Sequence, residues 1–345
     1  MIHFVLLIVC AVAIYLSCEL FVNAVEWLGQ RLKVGPLAVG TILAAFGTAL
    51  PESVVTFVAV VFGDGAAAKD IGVGAAMGGP LALATVAYAV TGWMILSRRR
   101  ARVAVGVGTG TRGGAGLPSD DLGDVGKLAR DQTWFLTIFV VKVALGLVAF
   151  AVKPWLGLLF FAAYAVYFWK EIRGGDDGDG GHEELAPLKL QRRRRQPQTW
   201  AVIAQTLAAL AVIFVASQLF VRQLDAVGPM LGLPAAVTAL LLSPIATELP
   251  EIMNAIIWVR QGKMPLALAN ISGAMMIQAT VPSGLGLLFT PWRFDGALLA
   301  SGLATTAAIV YLLFLLHTKR FTARNMSFGA LFYLAFAGAL FLILG

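Results

Sequence analysis

Charge is scarce in this chain. Its 26 basic and 19 acidic residues make up 13% of 345, about half the roughly 25% of a soluble domain. Hydrophobic residues reach 59% and the mean hydropathy is +0.83. So much apolar surface cannot be enclosed in soluble globules of this size without large patches facing water. Soluble enzymes, secreted scaffolds and disordered proteins are therefore excluded. Cysteine is nearly absent, and Cys10 and Cys18 share the first apolar run, so no disulfide framework exists. His3, His182 and His317 lie far apart and form no zinc motif. No H-E-x-x-H, G-x-S-x-G or paired protease aspartates occur, which removes the support for an intramembrane enzyme.

Apolar runs long enough to cross about 30 Å of hydrocarbon as helix fall at 4–25, 36–62, 71–96, 134–151, 155–169, 200–220, 233–259, 265–289, 296–316 and 326–344. The first lacks a basic n-region and exceeds a signal h-region, so it reads as a span. The fourth and fifth are short and parted only by Lys153 and Pro154, which leaves a re-entrant pair open. Ten spans with both termini outside put 21 basic residues in the inner connections. These are Arg31 and Lys33, seven from Arg98 to Arg130, seven from Lys170 to Arg195, Arg260 and Lys263, and Lys319, Arg320 and Arg324. Only Lys69, Lys153, Arg222 and Arg293 fall outside, and Lys142 lies within a span. That asymmetry is the positive-inside pattern, and it explains the net charge of +7 without a nucleic-acid partner. The long connections from Ser97 to Asp131 and Lys170 to Gln198 read as flexible loops. The formal G-x-G-x-x-G at 108–113 has no helix after it, and Asp176, Asp177 and Asp179 lack EF-hand spacing, so neither is read as a site.

The chain repeats itself. L-F-V at 20–22 returns at 219–221, and T-x-L-P-E at 48–52 returns at 247–251, both at an offset of 199. The copies lie five spans apart and so run in opposite directions. We expect an all-α membrane protein of two inverted five-helix halves, residues 1–169 and 200–345, joined by a loop at 170–199, with repeat cores at about 36–96 and 233–289. Glu52 and Glu251 sit mid-span, and each follows a proline that cannot donate a helical hydrogen bond, which frees carbonyls just upstream. Intramembrane carboxylates are rare and costly. Two of them beside freed carbonyls offer the all-oxygen shell that calcium prefers. Thr48 and Thr247 either add hydroxyl ligands or bond their own helices.

The segments GTILAAFGTALPESVVTFVAV and LLSPIATELPEIMNAIIWVRQGKMPLALANISGAMM, with CELFVNAVEWLGQRLKVGPLAVG before the first, resemble the two alpha repeats of the calcium/cation antiporter superfamily, the sodium/calcium exchangers in particular. The resemblance covers both repeats and the ten-span layout. It implies a secondary antiporter that exports calcium against sodium or protons by alternating access, with the first and sixth spans moving against the core. It also implies that Glu52 and Glu251 are the central calcium ligands and that Thr48 and Thr247 contribute, with Asn270 fitting the eighth-span pattern. Where the family carries serine after the motif threonine, this chain has Ala49 and Glu248. Where it carries G-S-N or G-S-D, this chain has Gly78, Gly79 and Pro80, and Gly273, Ala274 and Met275. Those lost side chains help bind sodium in the family. The alternatives are therefore a proton-coupled exchanger, or a cation-binding membrane protein that no longer transports.

Glu248 is the sixth candidate ligand, three residues before Glu251, where it adds charge to the site or carries a proton. Lys142 is expected either to pair with it in the place of a lost sodium or to snorkel to an interface. Asn270 and Gln278 are cavity ligands or interhelical hydrogen-bonders. No cofactor is expected. The partners are small cations and the lipid of, on this reading, a bacterial inner membrane. Oligomeric state is left open.

Overall fold

The computed structural model describes residues 2–62, 65–108, 122–174, 185–233 and 237–344, and all regular structure among them is helical. Lipid offers backbone amides no water to bond, and a helix satisfies them within its own segment. We number the helical rods α1 (Ile2–Leu32), α2 (residues 36–62), α3 (residues 65–108), α4 (Val125–Leu147), α5 (Lys153–Arg173), α6 (Thr199–Met230), α7 (residues 238–261), α8 (Met264–Phe289), α9 (Gly296–His317) and α10 (Ala323–Leu344). Among the described residues, seven helices are long and apolar enough to cross a membrane. Two bent rods, α2 (Pro36–Ala49 with Glu52–Phe62, 45°) and α7 (Thr238–Thr247 with Leu249–Gln261, 42°), bring the number to as many as nine. The remaining rod, α4, carries Lys127, Arg130, Asp131 and Lys142 and falls outside that count.

The rods extend beyond the apolar runs by up to three turns, because polar flanks continue a helix that the run has nucleated. The fourth and fifth runs form two separate helices, with Lys153 folded back at the turn to donate to the carbonyls of Val148 (2.7 Å) and Trp292 (3.1 Å). At that end Phe294 N also donates to Gly146 O (3.1 Å). At the opposite end Arg98 reaches Val259 O (2.7 Å), Lys263 pairs with Glu26 (2.7 Å) and Arg31 donates to Pro197 O, so several of the basic connections gather there.

The apolar windows of α8 and α3 are 83% and 78% buried, against 22% for α5 and for α10, which places α8 and α3 at the centre and leaves the others facing lipid. Glycine brings α8 onto α2: a Cβ on Gly273 would stand 2.1 Å from Thr41 O, so the two backbones touch. Such close approach fixes where the motif of α2 faces α8.

One of the long connections departs from expectation. Residues 185–198 are not a loose loop but lie packed on α1 and α6 with Leu188 fully buried. The 108–113 glycine pattern lies outside the described residues apart from Gly108, and Asp176, Asp177, Asp179 and His182 lie outside them as well.

Candidate ion-binding site

Both motif rods depart from α-helix just before the motif. α2 is π-helical over Val39–Ala44 and α7 over Thr238–Leu242, beginning 199 residues apart. Such bulges are common at functional sites, where they leave backbone groups off their regular partners. The prolines act next. Pro250 has no N–H to give Ala246, and Pro51 has none to give Gly47. α7 breaks outright at Glu248 (φ −83°, ψ 7°), so Glu251 lies in the first turn of the helix that follows.

The six expected residues come together around these breaks. Thr48 stands beside Glu251 and Thr247 beside Glu52, each threonine close to the carboxylate of the opposite half. Each hydroxyl also bonds a carbonyl of its own helix, Thr48 to Ala44 O and Thr247 to Pro244 O, both at 3.1 Å. The reading in which the threonines bond their own helices is the one these contacts bear out. Glu248 and Glu251 are fully buried, and Glu52 is partly so. Glu251 has no hydrogen bond to either carboxylate oxygen, and Glu52 Oε1 and Glu248 Oε2 are likewise unpaired. Buried carboxylate oxygens without partners are costly, and a bound cation would satisfy them. Asn270 is drawn in differently: its amide donates to the backbone carbonyl of Glu251 (3.2 Å), and its own Oδ1 is left without a partner.

Gln278 is the organiser of the site. Its Nε2 donates to Glu248 Oε1 at 3.0 Å and also to Glu52 Oε2, holding two carboxylates from different rods with one amide. Opposite it lies Gly79, where a Cβ would stand 2.5 Å from Glu248 Oε1 and 3.1 Å from Gln278 Cδ. The missing side chain at 79 is the space that Glu248 fills. Gly79 and Gln278 are themselves 199 residues apart, as are Ala49 and Glu248. At both positions the first half carries the small residue and the second half the polar one.

Three further residues were not read as part of the site. Cys18 of α1 approaches Pro250 O (3.7 Å), and Ser217 of α6 lines a small cavity with Thr48, Glu52 and Thr247. That cavity has room for about one water molecule. Cys18 and Ser217 obey the same 199-residue offset, which was the signal available in the sequence. Asn254, one turn after Glu251, is fully buried with neither amide atom partnered. Lys142 does not reach Glu248. Its ammonium donates to Ala76 O (2.8 Å) and Ser283 Oγ (3.1 Å) and stands over the Phe139 ring, so the expected ion pair does not form. Among the described residues, no three acidic, histidine or cysteine side chains are packed closely enough to enclose one ion.

Carboxylates buried at the breaks of two rods inside an apolar bundle fit an ion-coupled membrane transporter better than an enzyme. The model of the sodium/calcium exchanger protein family matches residues 2–171 and 201–345, and the chain belongs to that family. CaxA of Alkalimonas amylolytica, named as a candidate antiporter, is 23% identical over 340 residues, covering 95% of this chain and 94% of the relative. The inner membrane protein YrbG of Escherichia coli (strain K12) is 27% identical over 300 residues, covering 84% and 81%. Among solved structures, the sodium-calcium exchanger NCX_Mj superposes with a TM-score of 0.72 at 15% identity over 99% of both chains, so the folds agree. The protein is a cation antiporter.

Proposed function

We propose that the chain exports calcium in exchange for sodium or protons by alternating access, binding the ion between Glu52 and Glu251 with Glu248, Thr48, Thr247 and Asn270 as further ligands. The observation that carries this is the set of unpartnered carboxylate oxygens on Glu52, Glu248 and Glu251 where α2 and α7 break. Oxygen-only donors of high negative charge suit a hard divalent cation. Ten spans in two inverted halves, residues 1–169 and 200–345, with both termini outside, complete the reading. Cys18 on α1 and Ser217 on α6 then mark the helices that alternately cover the Glu251 and Glu52 sides. The inner membrane of a bacterium is the proposed location, in keeping with the printed name of YrbG.

Proteoliposomes loaded with calcium, with external sodium and pH varied separately, test both the cargo and the counter-ion. Flux driven by either gradient, and lost in Glu52→Ala and Glu251→Ala, is the expected result. Flux retained in both variants would remove the assignment of the site. Absence of flux together with preserved calcium binding would favour a cation-binding protein that no longer transports.

A further inference from the structure

Near its inner end, α1 is tied to the core through one carboxylate. Glu26 Oε1 accepts from the indole Nε1 of Trp258 on α7 (2.9 Å), and Glu26 Oε2 accepts from the ammonium of Lys263 in the turn between α7 and α8 (2.7 Å). Glu26 and Trp258 are buried and Lys263 is half-buried. An ion pair so far from water is little screened by salt, and removing one member would leave the other buried without compensation. The ion site does not use this pair: Glu26 lies about two helical turns beyond Cys18, the residue of α1 that meets Pro250.

The second half does not repeat the tie. The 199-residue offset puts Asp225 of α6 in the place of Glu26, Ala59 in the place of Trp258 and Asp64 in the place of Lys263. Alanine has no side-chain donor, and two aspartates repel, so the mirrored ion pair cannot form. Asp64 lies outside the described residues; Asp225 is exposed and accepts from Ser243 Oγ at a long 3.4 Å. The cover of the ion site is uneven in the same sense. Cys18 of α1 is sealed, whereas beside Ser217 of α6 there is a cavity with room for about one water molecule. In a transporter of two inverted halves, a contact that α1 makes in one end state is made by α6 in the other. A tie present on one side alone therefore favours one end state.

We propose that Glu26 is a positioning residue for antiport. Its bonds to Trp258 and Lys263 dock the inner end of α1 on the core, so that the protein without bound ions rests with its inner side closed and its outer side ready to take up ions. Glu26 touches no ion and acts through α1. The proposal rests on the orientation and the α1 and α6 motion given above.

The test uses the full chain in proteoliposomes, with insertion orientation checked and half-saturation by cation measured on each side separately. E26Q and K263M break the tie from either end, and E26Q/K263M leaves no charge stranded, so it stays informative where a single variant fails to fold. Apparent affinity scales with the fraction of protein competent to bind on that side. Inner half-saturation should therefore fall by up to roughly tenfold, about what one charged hydrogen bond is worth, while outer half-saturation rises. The double variant should shift no further than the larger single, because the pair acts as a unit. General loosening of the fold would weaken both sides together. A second readout needs no cation gradient and remains decisive if the calcium assignment fails. In a C10S background, a membrane-impermeant thiol reagent on the inner side should modify Cys18 severalfold faster in E26Q and in E26Q/K263M than with the pair intact. Half-saturation values that move together or not at all, additive shifts in the double variant, or an unchanged rate at Cys18 would overturn the proposal.

Discussion

Replacing Gly79 by alanine tests the arrangement at the heart of the site. The new Cβ would meet Glu248 Oε1 at 2.5 Å, where ordinary contact begins near 3.4 Å. The obstacle is the end of a side chain, so the carboxylate yields while the helix stays in place. Its 3.0 Å bond from Gln278 then stretches beyond hydrogen-bonding range. A hydrogen bond to a charged group contributes about 1.5–3 kcal/mol. If Glu248 is a ligand, cation affinity should fall roughly 10- to 100-fold, at about 1.4 kcal/mol per decade. Helix propensity works the other way, since alanine in place of an interior glycine stabilises by about 1 kcal/mol. A loss of binding with unchanged or raised melting temperature would therefore be a local effect. Calcium titration calorimetry on purified Gly79→Ala, Glu248→Ala and the double variant closes the cycle. In the Glu248→Ala background the alanine at 79 should cost nothing beyond the roughly 0.5 kcal/mol noise of additivity. An equal loss in both backgrounds would refute the contact as the cause.

Glu52→Gln and Glu251→Gln preserve size but remove charge, and each should abolish calcium-driven flux in proteoliposomes while the protein remains folded by circular dichroism. Lys142→Met should leave the ion dependence of flux unchanged, because Lys142 touches Ala76, Ser283 and Phe139 and no carboxylate. A shifted cation dependence would revive the idea that this ammonium stands in for an ion. Gly273→Ala drives a methyl to within 2.1 Å of the Thr41 backbone, which has no room to retreat, and should cost several kcal/mol as overpacking does at its upper end. Gly74→Ala meets nothing within 4 Å and serves as its control, gaining up to about 1 kcal/mol of helix propensity. Thermal unfolding in detergent compares the two.

Much of this protein was written in its sequence, because lipid removes alternatives. A backbone crossing hydrocarbon must bond to itself, so apolar run length located most of the rods, and a carboxylate there is costly, so T-x-L-P-E marked the candidate site twice. The 199-residue offset carried more than the motif, since it also pairs Cys18 with Ser217 and Gly79 with Gln278. What the sequence did not contain was distance. That Gln278 holds two carboxylates, that Glu248 occupies the space left at Gly79, and that Lys142 turns to Ala76 and Ser283 all depend on how closely α3, α7 and α8 approach. Glycines facing side chains, Gly78 against Pro244 and Gly79 against Glu248 and Gln278, allow that approach, and composition does not encode them. Likewise, the polar stretch at 185–198 reads as a loose linker until Asn23 and Gln205, distant in the chain, are seen to spend their hydrogen bonds on it.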